Sequence, residues 1–128
     1  MKRAGWVLAA LITFFLLPAS VAPKLMGAEV AVASLTAIGW PSTYLVELGM
    51  LELALLLLFL WPRTALLGAV LFTALLGGTV ASHLRAGSPL ASHTLFGIYL
   101  GVFLWASLFL RDVAFRSYVL NHMLGRST

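Results

Sequence analysis

Glu47 and Glu52 are the residues of this chain best suited to chemistry, because both interrupt an otherwise apolar run, Tyr44–Trp61. A carboxylate near the middle of such a run costs about 2.5–3.5 kcal/mol to bury in a bilayer on insertion scales. A residue that costly usually faces protein, and it needs a partner or a proton. Five helical residues turn the chain through about 500°, so the two side chains point about 140° apart and cannot form one dyad. Glu52 shares its helix face with Leu45, Leu48, Gly49 and Leu56, and Gly49 leaves room there for a neighbouring helix or a ligand. Three roles stay open for Glu52: a buried residue that fixes helix register, a ligand, proton or quinone site, or a contact to another subunit.

Lys24 is the natural partner, since a lysine stem can reach about one helical turn into an apolar region. Lys24 also reads as an interfacial lysine that snorkels to water. His83, with Thr79 one turn before it, falls at a similar level and has a side chain suited to proton exchange near neutrality. The expected ligand- or proton-binding cluster is therefore Lys24, Glu47, Glu52 and His83, with Glu52 deepest and the others at its mouth. His83 and His93 flank a short loop without a third ligand, so no metal or haem site is expected. No residues form a complete catalytic signature, and the isolated chain does not read as an enzyme.

The elements that must position these residues follow from hydropathy. Hydrophobic residues make up 62% of the 128 residues and charged ones only 9%, too few to solvate a globular surface. Four apolar stretches, at about 4–21, 44–61, 65–84 and 95–110, approach the ~20 residues that a helix needs to cross ~30 Å of hydrocarbon. The expected fold is all-α: one domain over 1–128, an integral membrane four-helix bundle. Gly27–Gly39 is too short and too polar to span and reads as an interfacial or re-entrant helix ended by Gly39. Trp61-Pro62-Arg63-Thr64 makes a tight antiparallel turn between the second and third spans. Gly87 and Pro89 stop the third span, and Ser92 is the expected N-cap of the fourth. Pro18 is expected to kink or end the regular helix near the far end of the first span. The segment from Arg111 to Thr128, with Phe115, Tyr118, Val119 and Met123 at helical spacing, reads as an amphipathic surface tail.

The first span also resembles a signal peptide: Lys2 and Arg3, then Val7–Leu17, then Ser20-Val21-Ala22 as a cleavage box. Pro23 would follow the cut and block it, so the segment is expected to stay as a span. Small residues mark packing faces: Gly97 and Gly101 in the fourth span, Gly77 with Ala81 and Gly78 with Ser82 in the third. They suit close packing within the bundle or a homodimer. Tyr99, Phe103 and Trp105 suit either a cofactor pocket or packing and interfacial positions.

The net charge of +4 does not imply nucleic acid, because the basic residues flank spans and form no patch with stacking aromatics. The charge distribution orients the bundle instead. Six basic residues (Lys2, Arg3, Arg63, Arg111, Arg116 and Arg126) fall on one side and two, Lys24 and Arg85, on the other. The positive-inside rule then places both termini in the cytoplasm. Cysteine is absent, which excludes disulfides, thiolate catalysis and Fe–S ligation by this chain.

Several short stretches, in order and spacing, resemble the DoxX-like family of small bacterial four-helix membrane proteins. They are Lys24-Leu25, Ile38-Gly39-Trp40-Pro41, Gly49-Met50-Leu51-Glu52, Pro62-Arg63-Thr64 with Gly68-Ala69, and His83-Leu84-Arg85-Ala86-Gly87. The resemblance covers about residues 10–110. It implies a multi-pass protein of the bacterial inner membrane and, through the thiosulfate:quinone oxidoreductase subunit that gives the family its name, an association with quinone. It supplies no catalytic residues. The preferred expectation is a non-catalytic or accessory membrane subunit, partnered by lipid and by another membrane protein or a second copy. The alternatives are a quinone-binding component of an oxidoreductase and a transporter of small solutes or lipid.

Overall fold

The computed structural model describes residues 1–125, and every regular element in them is helical. Four helices have the length and hydropathy of membrane spans: α1 (Lys2–Met26), α3 (Ser42–Leu60), α4 (Ala65–Ala86) and α5 (Leu90–Arg111). Between the first two lies the short α2 (Glu29–Ala37), and α6 (Val113–Tyr118) follows the last. The chain is an integral membrane protein in its build. Large apolar side chains such as Phe14, Leu57, Leu67 and Val102 point outward and are more than half exposed. That arrangement suits a hydrocarbon solvent and no aqueous one.

The bundle closes as a ring. α1 packs on α5, α5 on α4, α4 on α3, and α3 returns to the C-terminal half of α1. The core holds Leu16, Leu56, Phe59, Phe72, Leu104 and Leu108, each nearly or wholly inaccessible. Thr64 stabilises the tight turn between α3 and α4 by donating its hydroxyl to the Leu58 carbonyl at 2.8 Å. Close approach there depends on Gly68, where a Cβ would collide with the backbone of Leu58 and Phe59.

The regular α-helix of α1 ends at Leu16, beside Pro18, as expected. The span itself does not stop there: the chain makes a π turn over Leu17–Val21 and continues helically to Met26. One extra residue per turn absorbs the amide that proline cannot donate. The buried positions record the change, running Gly5, Ala9, Ile12, Leu16 and then Val21. Lys24 thus lies inside the last turn of α1. Gly27 ends the helix in the left-handed conformation at φ 66°.

Ser92 is not the cap of the fourth span. Pro89 precedes a first π turn, Leu90–Thr94, and the Ser92 hydroxyl instead meets His93 Nδ1 at 2.7 Å. Gly87 does take the left-handed position that ends α4, at φ 70°. The tail breaks at Asp112, whose carboxylate accepts the Phe115 amide at 3.0 Å and starts α6, followed by a π turn over Val119–Met123. Arg126 and Thr128 lie outside the described residues.

Candidate functional site

The site is built where the C-terminal half of α1 meets α3. Gly49 sets the approach: a Cβ on it would lie 2.9 Å from the Lys24 Cβ and 3.2 Å from Leu25 Cδ2. With only hydrogen there, the Lys24 stem crosses α3 and its Nζ reaches Glu52 Oε2 at 2.5 Å. Ser20, in the π turn and one turn before Lys24, accepts from Lys24 Nζ at 2.7 Å and donates to the same Glu52 oxygen at 2.9 Å. The Glu52 side chain is 6% exposed and that of Lys24 is 27% exposed. The carboxylate is therefore buried, ion-paired and hydrogen-bonded, as its depth demands.

This triad forms the polar wall of a cavity of about 500 Å³. Apolar side chains from the spans, among them Leu16, Phe72, Leu75 and Leu100, line most of the remainder. Thr79, Ser82 and His83 add polar groups from α4. α2 covers one side with Val30, Ala31, Ser34 and Leu35. Its two ends are left-handed glycines, Gly27 and Gly39. Trp40 ties the far end down by donating Nε1 to Ser82 Oγ at 3.0 Å.

Of the four expected site residues, Lys24 and Glu52 meet directly and His83 lines the same cavity. Glu47 does not join them. It is exposed in the first turn of the regular helix in α3, on the face set by the 140° offset, and it is absent from the cavity wall. A carboxylate in that turn gains from the partial positive charge of the helix start, which accounts for its place without a ligand. His83 Nδ1 lies 2.9 Å from Ser88 Oγ, and its ring stands edge-on to His93 at 6.0 Å between centroids. No third metal-ligating side chain joins the pair among the described residues.

The small residues divide. Gly97 packs tightly on α4, with a hypothetical Cβ 2.9 Å from Val80 Cγ2 and 3.3 Å from the Leu76 carbonyl oxygen; Gly101 is looser, 3.8 Å from Leu76 Cδ1. Gly77 and Ala81 are exposed, and nothing lies within 4 Å of a Cβ built at Gly77. Packing of that pair inside the bundle is thus corrected: their face turns away from the other helices. Tyr99 and Phe103 are also exposed, and Trp105 donates Nε1 to Thr73 Oγ1 at 2.9 Å. The aromatics of the cavity are Phe15, Trp40, Phe72 and Phe96 instead.

Two further polar residues carry structural weight that the sequence analysis did not assign them. Ser20 had a signal, its one-turn spacing from Lys24, but the π turn that aims it is not readable from composition. Arg111 counts as an interfacial charge by sequence, yet it is 7% exposed. Its guanidinium donates to the carbonyls of Phe59 and Leu60, which end α3, and lies 4.5 Å from the Trp6 ring centre and 4.4 Å from that of Phe59. A cation on the unpaired carbonyls of a helix C-terminus is electrostatically favourable, and two rings shield it from lipid.

A four-span helical membrane protein with one ion-paired wall on an apolar cavity is the class that fold and site define. A model of the DoxX-like family matches residues 7–107. The chain belongs to the DoxX-like family. No curated protein and no solved structure shows a significant match to it.

Proposed function

We propose that the chain is an accessory membrane subunit, without a reaction of its own, that binds a small amphipathic molecule in the cavity beside Lys24 and Glu52. The observation that carries this reading is the Lys24–Glu52 pair on the wall of a 500 Å³ apolar cavity. A pair fixing register alone needs no space beside it, whereas ligand sites are apolar hollows of about 300–1,000 Å³ with a few convergent polar groups. Glu52 and Lys24 bind the polar end of the molecule, His83 and Thr79 face it across the cavity, and the apolar wall holds its body. The cavity's aromatic residues favour a ring-bearing ligand, so a quinone-binding component of a membrane oxidoreductase is the second reading. Both termini lie in the cytoplasm on the charge count, which turns Lys24 and α2 toward the outer face of the inner membrane.

The test is small-molecule mass spectrometry of the protein purified from native membranes, beside an Ala31→Trp variant that fills the cavity from α2. A molecule present in stoichiometric amounts with the wild type and lost from the folded variant is the expected result. Equal recovery from both, or no stoichiometric molecule at all, sinks the reading.

A further inference from the structure

The hydrogen bonds of the triad leave a definite set of valences open. Both protein contacts of Glu52, from Lys24 Nζ and from Ser20 Oγ, fall on Oε2. Oε1 accepts from no described residue, and it is not among the side-chain atoms sealed away without a partner. It therefore keeps accessible surface, on a residue that lines the cavity. Lys24 has three ammonium protons, and two are used, on Ser20 Oγ and Glu52 Oε2. The Ser20 hydroxyl both accepts and donates within the triad, so it offers the ligand no proton.

From these open valences we infer that the cavity selects neutral molecules whose polar end is a hydroxyl group, and disfavours the matching carbonyl compound or ether. This inference rests on the ligand-binding reading above and specifies its chemistry. A hydroxyl is one donor with two acceptor lone pairs. It donates to Oε1 and accepts the third Lys24 proton, so every polar atom in the wall finds a partner. A ketone or an ether accepts from Lys24 but leaves a carboxylate oxygen facing it without a donor. Leaving a buried acceptor unpaired costs more than the same bond contributes, and bonds to charged groups are the strong ones. Charge points the same way. The pair sums to zero, so a ligand carboxylate or ammonium brings a charge that the wall does not balance.

The test uses an alcohol and ketone of one shape, 4-pentylcyclohexanol and 4-pentylcyclohexanone, titrated against the whole protein in lipid nanodiscs. Wild type is expected to bind the alcohol roughly 10–100-fold more tightly, the ratio that one hydrogen bond to a charged group provides. Glu52→Gln supplies the contrasting arm. The Gln oxygen takes over the bonds from Lys24 and Ser20, and its NH2 then faces the cavity as a donor. The preference is expected to vanish or turn toward the ketone. Equal binding of the two compounds by wild type overturns the inference while leaving the cavity a ligand site. An undiminished alcohol preference in Glu52→Gln overturns it too, by placing the selection elsewhere. Binding of neither compound counts against the ligand-binding reading itself, and the inference falls with it. Should Glu52→Gln not fold, the wild-type comparison alone decides.

Discussion

Replacing Lys24 by Met removes the charge opposite Glu52 while keeping much of the stem that packs over Gly49. The carboxylate then keeps a single donor, Ser20 Oγ at 2.9 Å, in a side chain only 6% exposed. Breaking a buried pair from one side costs about 3–5 kcal/mol, and the 27% exposure of Lys24 puts this pair at the low end, about 3 kcal/mol. Glu52→Leu is milder, about 1 kcal/mol, because Lys24 can lift its ammonium toward the interface. The double variant leaves no charge unpaired and adds a leucine side chain to a face that already buries Leu45 and Leu56. Its cost should fall to about zero, well below that of Lys24→Met alone. The two sites are then coupled by about 4 kcal/mol, far outside the scatter of independent positions. Unfolding in mixed micelles with a denaturing detergent measures all four proteins, and Glu47→Leu, on the exposed face, serves as a control near zero. Additive single changes, or a Lys24→Met protein as stable as wild type, would refute the buried pair and with it the polar wall.

Three other outcomes test the frame around the site. Gly97→Ile should destabilise the bundle by about 1–3 kcal/mol, because its Cβ meets Val80 and the Leu76 carbonyl, whereas Gly101→Ala and Gly77→Ala should be nearly neutral; midpoints in detergent rank them. Arg111→Lys should cost about 1–3 kcal/mol in the same assay, since an ammonium cannot reach both α3 carbonyls while filling the space between two rings. A reporter active only outside the cytoplasm should give signal when fused after Ser88 and none after Arg63; the reverse pattern refutes the proposed orientation.

The spans were legible because hydropathy and proline positions act locally. The four apolar runs, the turn at Trp61–Thr64 and the left-handed Gly87 follow from a few adjacent residues each. Lys24 and Glu52 could be matched by depth, since a buried carboxylate needs a donor from another helix at its own level. Glu47 was drawn into the same group by depth as well. Rotation about the α3 axis, which the 140° offset already carried, separates it. Ser20 and the cavity were not legible, because they depend on a π turn whose only mark in the sequence is a proline that an ordinary kink would explain equally well. Arg111 hid for a different reason. Its shelter comes from Trp6 and Phe59, distant in sequence, while its neighbours along the chain look interfacial.

The π turn of α1 divides that helix into two independently phased halves. Up to Leu16 the buried positions fit the scaffold, and beyond it Ser20 and Lys24 fall on the polar wall that meets Glu52. The join is a single surplus residue. Deleting Ala19 would remove it, turning everything after it through about 100° and drawing it back about 1.5 Å. The first half would keep its seat against α5, while Ser20 and Lys24 would swing off Glu52 together. A reading-frame-preserving loss of one codon is therefore the smallest genetic step that separates this bundle from its polar wall, and its converse, a one-codon insertion, is the smallest step by which a plain four-helix ancestor could have gained one.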